Sequence, residues 1–320
     1  RGLSYVVCER LPVGQFANRI PQLSFEIVRP IGALEEAIRA VTLIPGATEF
    51  GYDPDPVTRR LGPGQHASEN RNVAHAPSDV IASLDELQAL CPNLERVALV
   101  VSWFGDDLRA GVCRIRPCVD LPGKDTDGGT WSVAGVSRGD AAVVSQIGDR
   151  AAYGGTPSDD SVGDLIRALK ARGLKITLYP FVMMDIPAGN TLANPWTGSA
   201  PQPAYPWRGE ITCYPAPGVT GSPDGTSEAG AQVDAFFTEG GEEGWNFRRL
   251  ILHYASLAAD VGGVDAFVIG SELKSLTRVR SASGAYPAVT QLVALAADVR
   301  AILGEHTTIT YAADWTEYGA

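Results

Sequence analysis

Apolar residues at helical spacing lead into a short apolar run four times along the chain. The pairs are 78–90 with 97–103, 156–173 with 176–182, 245–259 with 266–269, and 288–303 with 308–311. Strands that are apolar on both faces and separated by helices are typical of a parallel sheet covered by helices. The pattern therefore predicts an α/β fold, and on periodicity alone both a barrel and an open doubly wound sheet fit it.

The rest of the chain departs from this repeat. Residues 5–7 and 22–28 predict β-strands, residues 34–41 a short helix, and Val41-Thr42-Leu43-Ile44 a further apolar run. Residues 47–77 and 119–130 are rich in Gly, Pro, Asp and Asn, which predicts surface loops. Residues 186–244 predict a very long loop, and loops of that length are usually functional or disordered. Its aromatic residues either form a platform for sugars or pin the loop to the fold.

Composition narrows the function classes. The net charge of −11 over 320 residues argues against nucleic-acid binding, which needs clustered Lys and Arg. No apolar run approaches the roughly 20 residues of a membrane span. The five cysteines form no CxxC pair and only four histidines are present, so no metal site is expected. Cys113 and Cys118 could meet across a hairpin, but free thiols are the favoured interpretation. No GxGxxG, P-loop, GxSxG or HExxH motif predicts a cofactor or another chemistry.

Carboxylates follow each of the four apolar runs. Because ligand sites of parallel α/β folds form at the carboxyl ends of the strands, we expect these side chains to converge on one rim. Glu272 is the candidate catalytic residue, since a partly desolvated glutamate suits general-acid duty. The candidate substrate-binding residues are Trp103, Asp106, Asp107, Asp185, Trp207, Asp314, Trp315 and Glu317.

Several segments resemble a known family. Residues 99–113, 154–157, 167–174, 179–187, 206–209, 269–273 and 311–318 resemble the GTA TIM-barrel-like domain of the large tail hub protein of gene transfer agents. These agents are phage-like particles, and the hub is also called the megatron or host-specificity protein. Residues 5–12 and 16–28 resemble strands of a tail hub domain that precedes the barrel.

The resemblance implies a fold and a domain plan. We expect a tail hub β segment at 1–35 and a glycoside-hydrolase-like (β/α) barrel at 36–320, truncated at its end. In that barrel type the catalytic acid follows the fourth strand, and Glu272 does so only if Val41-Thr42-Leu43-Ile44 is the first. The acid usually follows Asn, whereas Ser271 stands here, and the nucleophile is expected beyond Ala320.

The resemblance also implies a role. We expect a component of a virion tail, assembled in the bacterial cytoplasm, that contacts distal tail and hub proteins within a homo-oligomeric ring such as a trimer. Its expected ligand is peptidoglycan or another envelope glycan, without direct nucleic-acid binding and without a membrane span in this chain. Two hypotheses stay open: a glycosidase that uses Glu272, or a non-catalytic structural or glycan-binding module of the tail tip.

Overall fold

The computed structural model describes residues 29–44 and 48–317. The strands predicted at 5–7 and 22–28 lie outside these ranges, as does most of the segment 1–35 that we expect to be a tail hub piece. The proposed boundary between the two domains therefore stays a prediction.

Five parallel strands form the main sheet. They are β1 (Ala40–Leu43), β2 (Arg96–Gly105), β3 (Lys175–Met184), β4 (Ala266–Ser271) and β5 (Thr308–Ala312), and they lie side by side in chain order. The predicted α/β class with a parallel sheet is confirmed. An open doubly wound sheet reverses direction at a switch point, whereas this order proceeds in one direction, as in a (β/α) barrel. Because β1 is the first strand of this sheet among the described residues, Glu272 follows the fourth.

In the described ranges, six α-helices accompany the strands. They are α1 (Ala33–Ala37), α2 (Asp79–Leu90), α3 (Asp159–Ala171), α4 (Ser227–Thr238), α5 (Phe247–Asp260) and α6 (Pro287–Leu303). The side chains of Ser158, Thr226 and Asn246 cap α3, α4 and α5 by accepting backbone N–H groups of the first turn. The four helices of the repeat are confirmed, with boundaries within three residues of those expected.

The structure corrects the prediction at three segments. The helix expected at 34–41 is shorter, because the chain turns extended at Ile38 and begins β1 at Ala40. The segment 186–244, predicted to be one long loop, contains α4. The helical pattern of α4 is difficult to recognise in the sequence because many Gly and Pro residues surround it. The expected loops 47–77 and 119–130 include a small antiparallel sheet of Thr58–Gly62, Gln65–Ser68 and Thr126–Asp127.

Further short strands surround the carboxyl end of β2. Ile115–Arg116 pairs with β2, Cys118–Val119 pairs with Ala142–Val143, and two hairpins are made by Ser132–Val133 with Val136–Ser137 and by Gln146–Ile147 with Arg150–Ala151. Short 3₁₀ turns lie at Ala110–Val112, Arg208–Glu210 and Trp315–Glu317. The short strands follow β2 in the chain, whereas Arg208–Glu210 contacts the end of β4 and Trp315–Glu317 follows β5.

The core lies between the sheet and the helices. Alternate residues of β2 and β3 point into it, because side chains of a strand alternate between its faces. Trp103 is one of them: its side chain is fully buried against Trp245, His253 and Tyr254 of the α5 region, at ring-centroid distances of 5.4, 5.5 and 6.2 Å. The expectation that Trp103 lies on the substrate rim is therefore corrected, since the period-two alternation places it on the helix-covered face.

Candidate functional site

Glu272 is the first residue after β4, whose six residues are all buried. The pairing of β4 with β5 shifts register between Val268 and Ser271, so the end of β4 is turned relative to a regular strand. Glu272 itself adopts a positive φ of 53°, and its backbone N–H donates to the Ala312 carbonyl at 2.9 Å. Its side chain is 34% exposed. This irregular backbone directs the carboxylate along the rim instead of into the helix layer.

Two neighbouring side chains of the long loop hold one oxygen of this carboxylate. The guanidinium of Arg208 donates to Glu272 Oε2 at 2.6 Å, and the indole N–H of Trp207 donates to the same oxygen at 2.9 Å. Charge-assisted bonds of this kind are short and strong, so they fix the direction of the carboxylate. Glu272 Oε1 has no donor among the residues that the structure describes, so this oxygen is available to a ligand.

Arg208 is held as firmly as the carboxylate it binds. Its side chain is 6% exposed and its guanidinium lies 3.5 Å from the ring centroid of Phe181. It also donates to the carbonyl and the hydroxyl of Ser271 at 3.0 and 2.9 Å, and that hydroxyl is 2.6 Å from the Tyr179 hydroxyl. Burial lowers the pKa of Arg208 from its ordinary value, while the nearby Glu272 carboxylate opposes that shift. The guanidinium is therefore a fixed donor for the end of β4.

Trp207 is half-buried, and neighbouring groups cover part of its ring. The Lys274 ammonium lies 4.6 Å from its ring centroid. On Gly209, a Cβ atom would come within 2.6 Å of the same ring, so the indole packs directly against a backbone that only glycine leaves free. Trp207 thus lies beside Glu272 and donates its indole N–H to the carboxylate. The ligand contact predicted for Trp207 stays a prediction.

The predicted residues after β5 lie next to Glu272. The Tyr311 hydroxyl accepts the backbone N–H of Leu273 at 2.8 Å and donates to Glu317 at 3.2 Å. Glu317 also accepts the backbone N–H of Asp314 at 2.7 Å. This chain of contacts connects the end of β4 to the turn after β5, and burial raises the pKa of the Tyr311 hydroxyl that links them.

Asp314 forms hydrogen bonds within its own turn, whereas the neighbouring Trp315 is exposed to solvent. Asp314 accepts the hydroxyl and the N–H of Thr316, and the hydroxyl contact holds the pKa of Asp314 below its usual range. Trp315 is 82% exposed, which is unusual for an indole. Asp314 and Glu317 therefore shape the turn, and Trp315 is the open aromatic surface on this side of the rim.

The acids after β2 and β3 have partners of their own. Asp106 accepts the backbone N–H and Nε of Arg114, and Asp107 binds Arg109 at 2.6 Å. Asp185 accepts the N–H and the hydroxyl of Ser145 at 2.8 and 2.5 Å. Within the described residues no hydrogen bond joins any of them to Glu272. They occupy the expected strand ends but serve to fasten loops there.

Sequence reasoning singled out Trp207 but overlooked two other residues that position Glu272. Arg208 lies 64 positions earlier in the chain, inside the long loop, and Tyr179 lies in a strand. The available signals were the segments 179–187 and 206–209, which belong to the resemblance with the GTA domain. Neither residue stands out by spacing, because the loop folds back over the rim only in three dimensions.

Two other features are absent from the part of the chain that the structure describes. In the described ranges, no group of three or more His, Cys, Asp and Glu side chains is arranged to hold a metal ion. In the same ranges, no helix combines the length and apolar character required to cross a membrane.

The second half of the α/β repeat matches a known family. Residues 245–320 match the family described as the GTA TIM-barrel-like domain. The matched segment includes α5, β4, Glu272, α6 and β5, so this part of the chain is TIM-barrel-like. No curated protein matches the chain.

Solved structures with some similarity are also known. The chain is 18% identical to a GH113 β-1,4-mannanase in a complex, with a TM-score of 0.35, and the match covers 70% of this chain and 46% of that one. It is 17% identical to a GH113 β-mannanase from Alicyclobacillus acidocaldarius in complex with ManMIm, with a TM-score of 0.34, covering 68% and 44%. The chain thus spans less than half the length of these structures.

Proposed function

We propose that this chain is part of a phage-like tail hub protein whose barrel contacts a bacterial envelope glycan at the rim around Glu272. The family match over residues 245–320 supports the tail assignment, and so do the resembling runs elsewhere in the sequence. The observation that carries the glycan site is the carboxylate of Glu272, held by Arg208 and Trp207 with one oxygen left open.

The chemistry of the rim fits a sugar. A fixed carboxylate oxygen accepts a sugar hydroxyl without a further cost in side-chain entropy, because Arg208 and Trp207 have already ordered it. Trp315 presents an exposed indole face on the same side of the rim, and aromatic faces pack well on the apolar C–H faces of sugars. Glu272 and Trp315 together offer the polar and apolar contacts of a saccharide site.

The contacts of Glu272 fit a ligand acceptor. Arg208 and Trp207 both donate to Oε2, which holds the carboxylate in one orientation. Glycoside hydrolysis needs a second carboxyl group within about 5–10 Å. The nearby carboxylates of Asp314 and Glu317 are engaged by donors of their own turn. Cleavage is the second candidate function, favoured by the position of Glu272 after the fourth parallel strand.

A sedimentation assay with purified peptidoglycan and with capsular polysaccharide tests the proposal. We expect the protein to bind one of them, and Glu272→Gln to weaken that binding about tenfold by losing a charge-assisted contact. Glu305→Gln is the matched control, since Glu305 is exposed and lies in the turn between α6 and β5, away from the carboxyl ends of the strands. Reducing-end release that disappears in Glu272→Gln would support cleavage. Binding equal in Glu272→Gln and the parent protein would contradict the site.

The proposal of a tail role includes partner proteins. The chain would contact distal tail and hub proteins in a homo-oligomeric ring such as a trimer, because tail hubs assemble by rotational symmetry. Its place would be the tail of the particle, where an envelope glycan meets the rim during entry. The net charge of −11 is compatible with a ligand other than nucleic acid.

A further inference from the structure

A second crevice lies away from Glu272, between the start of α5 and the short strands that follow β2. Its volume is about 430 Å³, within the usual range of small-ligand sites. Four charged residues line it: Arg116, Arg249, Asp140 and Glu243. Val136 and Ala141 contribute apolar surface. The rim site described above uses none of these residues.

Arg249 is fixed in place before any ligand arrives. Its guanidinium lies 3.5 Å from the ring centroid of Trp245 and donates to the Glu243 carbonyl at 2.8 Å. The Trp245 indole in turn donates to the Glu243 carboxylate at 2.8 Å. Burial lowers the pKa of Arg249 from its ordinary value. One edge of a planar, preorganised guanidinium therefore remains available to the crevice.

Arg116 is the second arginine of the crevice. Its side chain is half-buried, yet it forms no hydrogen bond, ion pair or aromatic contact with any residue that the structure describes. The guanidinium of Arg116 is therefore free to meet a ligand, and arginine pairs with carboxylates through two parallel hydrogen bonds. An anionic group between Arg116 and Arg249 would satisfy both.

The acids of the crevice define the kind of anion. Asp140 accepts the Ser137 hydroxyl, and Glu243 accepts the Trp245 indole, so each retains an oxygen for a ligand hydroxyl. Their negative charge disfavours a phosphate dianion but tolerates a single carboxylate. We propose that this crevice binds a sugar acid, whose carboxylate lies on Arg116 and Arg249 and whose hydroxyls donate to Asp140 and Glu243.

Titration calorimetry with sodium glucuronate, glucose and inorganic phosphate tests this second site. We expect glucuronate to bind, and glucose and phosphate to bind at least about tenfold more weakly, since only glucuronate combines one carboxylate with hydroxyls. Arg116→Gln should weaken glucuronate binding about tenfold by removing one arm of the pair. Arg39→Gln, an exposed arginine outside the crevice, should leave the affinity unchanged.

Two additional variants keep the outcome unambiguous. Arg249→Lys retains the charge but loses the planar fork, so it should also weaken glucuronate binding, and it decides the matter if Arg116→Gln does not fold. Glu305→Gln, which removes an exposed carboxylate outside both the crevice and the rim, should bind glucuronate like the parent protein. Equal affinity for glucuronate and glucose, or for the parent protein and both arginine variants, would overturn the proposal.

Discussion

At the scale of single residues, Glu272 combines an unfavourable backbone with favourable side-chain contacts. A positive φ of 53° is disfavoured for any residue with a Cβ atom, and it persists only where the surroundings impose it. Here the ion pair with the buried Arg208 and the backbone contact to Ala312 supply that constraint. Strained residues of this kind concentrate at functional sites, which agrees with the role proposed for Glu272.

Two substitutions at this position separate backbone strain from the ion pair. Glu272→Ala and Glu272→Gly both leave Arg208 without its carboxylate, but glycine alone adopts a positive φ without steric cost. We therefore expect Glu272→Gly to be more stable than Glu272→Ala by about 1 kcal/mol. Urea unfolding followed by circular dichroism measures the difference. Alanine equal to or better than glycine would show that the backbone at 272 is unstrained.

At the scale of elements, the long loop after β3 is fastened to the rim by buried hydrogen bonds. Gln202 is 2% exposed, and its amide donates to Asp107 at 2.7 Å and to the Ala193 carbonyl at 2.9 Å. Its carbonyl oxygen accepts the backbone N–H of Leu108 at 3.0 Å. The same loop carries Trp207 and Arg208, so an anchor at Gln202 helps to bring them over β4.

Removal of this anchor should be costly. Gln202→Ala leaves the Leu108 N–H and the Asp107 carboxylate with fewer partners in a buried place, which we expect to cost about 2 kcal/mol of unfolding free energy. The exposed Gln65 provides a matched control, and Gln65→Ala should change stability by less than about 0.5 kcal/mol. Denaturant unfolding of the two variants checks the difference. Equal losses would mean that the loop is held by other contacts.

At the scale of the whole molecule, the described cysteines belong to the packed interior. Cys91, Cys113, Cys118 and Cys213 are buried free thiols, so the bridge considered for Cys113 and Cys118 is absent from the structure. Burial raises the pKa of Cys113, and it raises the pKa of Cys118 to about 12. Thiolates, not thiols, attack disulfide reagents, so burial shields all four thiols from the reagent, and the raised pKa protects Cys113 and Cys118 further.

Thiol labelling therefore reports on global unfolding. In a Cys8→Ser variant, which removes the one cysteine outside the described residues, labelling at pH 8 should be at least about a hundredfold slower than in denaturant. The rate should rise with denaturant in step with the loss of secondary structure, as measured by absorbance of the released thiolate. Rapid reaction of the folded variant would mean that part of this interior opens locally.

The sequence by itself determined the α/β class, the four helix–strand pairs and the presence of an acid after each of their strands. These features follow from short-range physics. A helix or a strand displays its buried face as a period in the sequence, and capping residues and glycines mark its ends. The structure confirms the four pairs as α2 with β2, α3 with β3, α5 with β4 and α6 with β5.

Only the tertiary structure decided which acid has a fixed and open carboxylate. Asp106, Asp107, Asp185 and Glu272 look alike as residues after strands, yet three of them fasten loops and one is aligned by Arg208 and Trp207. That difference depends on the path of the loop 186–244, which brings Trp207 and Arg208 to Glu272. Long-range packing determines such a path, and local periodicity in the sequence does not show it. Trp103 was misplaced for a related reason, since its face of β2 became known only once the helices covered it.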